Sequence, residues 1–271
     1  MSEPTKVLII DDSAVARQTL KNILSEDPEL EVVGTAPDAL IALKKISELN
    51  PDVLTLDVQM PKMDGLTFLE RLMKSRPMPV VMVSSYTQEG SETAMRSLEL
   101  GAVDIIEKPK FEVREGLNEI AILITDKVKA AAQAKMKTAR QIFMQTSLKQ
   151  STDVVLPKTT GKRKATGQEA LIAIGASTGG TEVLREILSS LPPTMPGIVI
   201  VQHMPKAFTG SFANSLDRVS ELEIKEAEDG DRVESGKALL APGDAHMILK
   251  TNGSSYQVKL DTGELVNRHR P

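Results

Sequence analysis

Val7-Leu8-Ile9-Ile10-Asp11-Asp12 places two acids directly behind four apolar residues. So short a run, rich in β-branched side chains, has the length of one buried strand rather than of a helix. The next residues, Ser13 to Leu24, carry apolar positions at helical spacing. The same unit then recurs. Glu31 to Gly34 precedes Leu40 to Leu49, Val53 to Leu56 precedes Leu66 to Met73, Val80 to Val83 precedes Glu92 to Leu100, and Val103 to Ile106 precedes Val113 to Val128. Strands alternating with helices predict a parallel sheet covered on both faces, an α/β doubly wound domain. In that architecture ligands sit beyond the carboxyl ends of the strands.

A length of 271 residues suits two compact domains, and 41% hydrophobic with 26% charged residues is the balance of a water-soluble protein. Cysteine is absent, which excludes disulfides, thiolate metal sites and cysteine nucleophiles, so the chemistry has to run on oxygen and imidazole. Met1 to Lys6 are polar, and no stretch approaches the roughly 20 apolar residues of a membrane helix. The expected location is the cytoplasm, without membrane insertion. A net charge of -4 speaks against nucleic acid as the main partner.

From Asp126 to Gln168 the alternation breaks down. Lys127 to Lys149, rich in Ala and Lys, can extend the preceding helix, whereas Ser151 to Gln168 has no periodic apolar face and reads as a flexible linker. Ten Lys or Arg residues lie between Lys127 and Lys164, and a solvated linker accounts for them better than a patch for nucleic acid or an acidic partner. A second α/β pattern opens at Leu171 to Ile174, with a helix at Thr181 to Leu191 and a strand at Ile198 to Val201. Short strand-like runs follow at Leu222 to Ala227, Ala238 to Ala241, Met247 to Lys250 and Tyr256 to Leu260.

Asp11 and Asp12 directly follow the first strand and Asp57 the third, so three carboxylates meet on one sheet edge. Crowded carboxylates repel unless a cation relieves them, and Mg²⁺ suits a site of few carboxylates with room for water and phosphate oxygens. Ser84, ending the fourth strand, and Lys108, after the fifth, reach the same edge. Each of these residues alone would be an ordinary strand-end cap; five at the ends of four strands would not. Asp11-Asp12, Asp57, Ser84 and Lys108-Pro109 together resemble the receiver domain of bacterial response regulators. The resemblance implies Asp57 as the phosphoryl acceptor, with Asp12, Asp57 and the Gln59 carbonyl on Mg²⁺ and Asp11 acting on the metal through water. It also implies Ser84 as the hydroxyl switch and Lys108 as counter-charge. One departure is Ile105, where that family often carries an aromatic.

Gly175-Ala176-Ser177-Thr178-Gly179-Gly180 follows a strand, precedes a helix and fits G-x-S-x-G, in which a sharp turn lifts a serine above the sheet edge. A glycine-rich phosphate cradle and a bare turn remain alternatives, although neither G-x-G-x-x-G nor a terminal Gly-Lys-Ser/Thr is present. A serine nucleophile needs a base, and among the three histidines His203 directly follows the strand Ile198 to Val201 on the same edge. His246 lies in a turn-rich stretch, and His269 is nearly the last residue.

Read in order, a receiver, a basic linker, then GASTGG, QHMP, EAEDGDRV, APGDAHM and VNRHRP closely resemble the chemotaxis protein-glutamate methylesterase (CheB) family over essentially the whole chain. That resemblance implies a receiver at residues 1–125, a linker at 126–168 and a mostly parallel α/β methylesterase domain at 169–271. It implies a monomer that takes its phosphoryl group from a histidine kinase. This protein would hydrolyse glutamate methyl esters, and deamidate glutamines, on methyl-accepting chemoreceptors, with Ser177 as nucleophile and His203 as base. The family draws its triad aspartate from a G-M-G-x-D-G segment that does not occur here, and none of Asp217, Asp229, Asp231, Asp244 or Asp261 falls in such a motif. The expectation is therefore a chain truncated within its catalytic domain and weak or inactive as an esterase, since loss of the orienting aspartate alone costs about 10⁴ in kcat. The alternative is a non-catalytic receiver acting as phosphate sink or receptor-binding module.

Overall fold

The computed structural model describes residues 3–60, 63–84, 88–108, 117–134, 170–266 and 270–271. Its first sheet has five parallel strands, β1 (Thr5–Ile10), β2 (Leu30–Ala36), β3 (Val53–Asp57), β4 (Val80–Ser84) and β5 (Asp104–Glu107), in the order β2-β1-β3-β4-β5. Helices α1 (Ala14–Ser25), α2 (Ala39–Leu49), α3 (Gly65–Ser75), α4 (Gln88–Glu99) and α5 (Leu117–Ala132) follow the strands in turn. This is the flavodoxin-like order, with its switch point between β1 and β3.

Alternation along β1 divides the apolar residues between two layers. Val7 and Ile9 pack with Leu20, Leu24, Ile124 and Val128 from α1 and α5, while Leu8 and Ile10 face Leu54, Phe68 and Leu69. Leu20 and Leu24 lie one turn apart, the spacing that turns a single face of α1 inward. Short polar residues set the helix starts. The Ser13 Oγ accepts from the Ala16 N–H, Asp38 from Ile41 and Asp64 from Thr67, each satisfying a donor that the first turn leaves open.

The second sheet is also parallel, in the order β6-β7-β10-β8, from β6 (Leu171–Ala176), β7 (Gly197–Gln202), β8 (Glu223–Glu226) and β10 (Lys237–Leu240). β9 (Arg232–Val233), β11 (His246–Asn252) and β12 (Ser255–Asp261) form a small antiparallel sheet beside it. α6 (Gly180–Leu188) follows β6, and α7 (Lys206–Asp217) follows β7.

α6 stops at Leu188, short of the expected Leu191. α7 has no counterpart in the sequence pattern above, although Phe208, Phe212 and Leu216 recur every four residues and are buried. α5 continues to Ala132, past position 126 where the linker was expected to begin; residues 135–168 of that stretch lie outside the described residues.

The two parallel sheets are packed together. α4 lies against α7 and α6, and one apolar cluster runs from Leu69, Met82 and Met95 into Leu184, Ile198, Phe208 and Phe212. Arg185 of α6 adds an ion pair with Glu99 of α4 at 2.8 Å, in a half-exposed setting where such pairs contribute little. No described helix is long and apolar enough to cross a membrane.

Candidate functional site

Two groups of polar side chains stand at the carboxyl edges of the two parallel sheets. At the first edge, Asp11 directly follows β1, Asp57 and Ser84 end β3 and β4, and Lys108 directly follows β5. The Lys108 Nζ lies 2.9 Å from the Asp57 Oδ2 and 2.9 Å from the Asp11 Oδ2, and it donates to the Asp11 Oδ1 at 3.1 Å. The Asp11 Oδ2 is buried and lies out of line for any hydrogen bond among the described residues. Carboxylate oxygens of Asp11, Asp12 and Asp57 lie within 4.8 Å of one another. Asp12 is exposed at the mouth, beside a cleft of about 540 Å³ lined by Val58, Gln59, Met60, Asp64, Leu66 and Thr93. Ser84 is buried at this edge, and its carbonyl accepts from the Lys108 N–H at 2.8 Å.

Desolvation pushes the Asp57 carboxyl above its ordinary range; the Lys108 hydrogen bond opposes this and the Asp11 charge adds to it. Burial pulls the Lys108 ammonium down, but its bonds and ion pairs to Asp57 and Asp11 outweigh that pull and hold it above the ordinary lysine value. One ammonium thus shares a pocket with three carboxylates, and the site is left with an excess of negative charge. The excess negative charge, an all-oxygen donor set and an open cleft fit a small hard cation. The Gln59 N–H points to the Asp57 Oδ1 at 3.4 Å.

Two further residues shape this pocket without having been foreseen. Arg17 donates to the main-chain oxygens of Asp11 at 2.7 Å and Asp12 at 2.9 Å, pinning the acidic loop from one turn into α1. Gly65 packs so closely under Asp57 that a Cβ would stand 2.2 Å from the Asp57 carbonyl oxygen. The signal for Gly65 was the Asp64 cap before it; a short-range glycine requirement of this kind has no pattern of its own.

At the second edge, β6 delivers Ser177 and β7 delivers His203, each one residue beyond the last strand residue. The Ser177 Oγ lies 3.2 Å from the His203 Nδ1. The parallel pairing of Ala176 with Gln202 sets the two loops side by side, and the His203 N–H donates to the Ala176 carbonyl at 3.1 Å. Gly179, in the left-handed region at φ 77, forms the N-cap of α6 with no side-chain cap, which leaves main-chain N–H groups at the helix start for an anion or oxyanion.

His246 is elsewhere, its Nε2 2.9 Å from the Glu264 carbonyl, and His269 lies outside the described residues. Four of the five downstream aspartates accept main-chain N–H bonds: Asp217 from Ile224, Asp229 from Leu260, Asp231 from Glu228 and Asp261 from Gly263. Asp244 sits in a positive-φ turn.

A cleft of about 450 Å³ contains Ser177, and both halves of the chain line it: Val103, Ala130, Gln133 and Ala134 from one, Gly175 to Gly180 and Val183 from the other. Lys127 links the halves. Its Nζ donates to the Asp104 Oδ1 at 2.6 Å, to the Ile105 carbonyl at 3.2 Å and, across the junction, to the His203 carbonyl at 3.2 Å. Lys127 is 3% exposed, so its reading as part of a solvated basic stretch is corrected. It shares a helix face with Ile124, Val128 and Ala131, which are buried in the α5 core.

Residues 172–271 match the CheB methylesterase family, and residues 7–121 match the response regulator receiver domain. A protein-glutamate methylesterase/protein-glutamine glutaminase of Thiobacillus denitrificans is 52% identical over 266 residues, covering 98% of this chain and 73% of that protein. One from Salmonella typhimurium is 49% identical over 266 residues, with the same two coverages of 98% and 73%. The crystal structure of the response regulator domain of Thermotoga maritima CheB is 39% identical, covering 49% of this chain and 99% of that one, with a TM-score of 0.44.

Proposed function

Because this chain belongs to the protein-glutamate methylesterase/protein-glutamine glutaminase family and carries a receiver ahead of its CheB-type methylesterase domain, we propose that it is a serine hydrolase of chemoreceptor glutamyl methyl esters, switched by phosphorylation at Asp57. The observation that carries this reading is the approach of the Ser177 Oγ to the His203 Nδ1 at 3.2 Å on a parallel strand edge. For His203 to act as base, its Nδ1 accepts from the Ser177 O–H, which requires the ring proton on Nε2. As the Ser177 Oγ attacks the ester carbonyl, His203 takes its proton through Nδ1, and N–H groups at the start of α6 receive the oxyanion. Collapse expels methoxide, which leaves as methanol with the proton from His203. Water, deprotonated by His203, then attacks the acyl-serine, releasing the glutamate and regenerating Ser177. A glutamine substrate follows the same course with ammonia as the leaving group.

In the receiver, Asp12 and Asp57, with the Gln59 carbonyl, would hold Mg²⁺, and Asp11 would act on it through water. When bound, the ion neutralises the phosphoryl oxygens during transfer. Asp57 then attacks a phosphoryl donor, a histidine kinase in the cell, while Lys108 balances the charge and Ser84 turns towards the new phosphoryl group. The wall that Val103, Ala130, Gln133 and Ala134 add to the Ser177 cleft supports regulation by occlusion: a receiver docked on that edge bars a receptor helix, and phosphorylation loosens the docking. Domains at 1–125, 126–168 and 169–271, a monomeric state and a cytoplasmic location belong to the same proposal. It is tested by methanol release from methylated receptor membranes, which the absence of the G-M-G-x-D-G aspartate should leave slow, about 10⁴ in kcat below a complete triad. Release should rise with acetyl phosphate and Mg²⁺, lose that rise in Asp57→Asn and vanish in Ser177→Ala; release that persists in Ser177→Ala refutes it.

A further inference from the structure

Gln202 is fully buried at the end of β7, next to His203. Its Nε2 donates to the Ser177 carbonyl at 3.0 Å and points more distantly, at 3.5 Å, to the His203 carbonyl. Two carbonyls facing the same end of the amide fix which end is nitrogen. The Ser177 carbonyl also accepts the Gly180 N–H at 2.8 Å, so the turn carrying the serine is held from two directions. The other end of the amide is odd. The Gln202 Oε1 is buried and accepts no hydrogen bond among the described residues. It stands against Gly180, where a Cβ would come within 2.6 Å of it and within 2.7 Å of the Ala176 Cβ.

A buried acceptor without a donor costs about 1–3 kcal/mol, and an apolar side chain of the same length would avoid that cost. Stability of the sheet therefore does not explain the amide, whereas its donor half does something an apolar residue cannot. We infer that Gln202 is a positioning residue for the hydrolytic reaction: its amide clamps the main chain of Ser177 to that of His203 and so sets the distance between the Ser177 Oγ and the His203 Nδ1. The inference rests on the reading of Ser177 and His203 as nucleophile and base. Gly180 belongs to the same device, since only a residue without a Cβ leaves room for the Gln202 Oε1.

The test compares wild type with Gln202→Met, which keeps length and bulk but removes the donor, using a fluorophosphonate serine probe and the ¹⁵N shift of the His203 Nδ1. The expected result is a fall in the limiting labelling rate of about 10- to 100-fold, as for misplacement of a reacting atom by up to about 1 Å. The probe concentration at half-maximal rate should stay unchanged, and the His203 Nδ1 resonance should move away from that of a hydrogen-bonded acceptor. A merely structural role predicts a lower melting temperature without that split. An unchanged labelling rate together with an unchanged His203 resonance overturns the inference. Should Gln202→Met not fold, Gln202→Asn, one methylene too short to reach the Ser177 carbonyl, carries the same two expectations and the same refutation. If wild type is not labelled at all, the reading of Ser177 as nucleophile fails, and the His203 resonance still decides whether Gln202 holds the pair.

Discussion

Lys127→Met is the most informative single change in the molecule. The side chains of Lys127 and Asp104 are 4% and 3% exposed, and the Asp104 Oδ2 accepts no hydrogen bond among the described residues. Without the ammonium, the Asp104 Oδ1 keeps, among the described residues, only the Ile105 N–H, at 2.7 Å. Breaking a buried pair by removing one partner costs about 3–5 kcal/mol, because an uncompensated charge is left behind. The predicted loss is thus about 3–5 kcal/mol. Replacing both residues, Lys127→Met with Asp104→Leu, should recover most of the loss, since no charge is then buried. Urea unfolding followed by circular dichroism measures it. A loss below about 1 kcal/mol, or no recovery in the double variant, would show that water reaches the pair and refute the reasoning.

Other changes bear on the acidic pocket. Lys108→Met should lower the melting temperature of the metal-free protein and increase the stabilisation by Mg²⁺, because Asp11 and Asp57 lose their shared cation; thermal scans with and without the ion check this. The raised Asp57 value, caused first by burial, means that its ionised form is disfavoured in the metal-free fold, a cost absent below about 3.8 and fully present above the raised value. Mg²⁺ takes the ionised form, so its affinity by calorimetry should weaken as pH falls through a range above that of an exposed carboxylate, with proton release on binding. The raised Lys108 value works in the opposite sense, contributing stability that is present below about 10.5 and lost as pH rises through the raised value. Gly65→Ala forces a Cβ against the Asp57 carbonyl, which should cost about 1–3 kcal/mol and slow phosphoryl uptake from acetyl phosphate, read by urea unfolding and by mass.

The sequence made much of this legible for identifiable reasons. Strands such as β3 and β4 are buried along their whole length, so they stand out as continuous apolar runs, and strand ends mark two edges, one with Asp11, Asp57, Ser84 and Lys108 and the other with Ser177 and His203. Contacts between elements distant in the chain left no such mark. α7 begins after Pro205 and contains Gly210, Ser211 and Asn214, poor helix formers that hide the spacing of Phe208, Phe212 and Leu216. Lys127 looked like one more charge in a basic stretch because its partners, Asp104 and the His203 carbonyl, are contributed by the fold. Gln202 was visible only as a neighbour of His203, since a glutamine that holds another residue's main chain is defined by geometry and not by spacing.

The claim on which the rest depends is that Ser177 carries the acyl group. Acid-quenching the protein during turnover of a glutamyl methyl ester substrate, then mapping peptides by mass, looks for it directly. A glutamyl adduct is expected on the peptide containing Ser177, absent in Ser177→Ala and depleted when turnover is run to completion. Turnover with the adduct on any other residue, or continued turnover in Ser177→Ala, would contradict it.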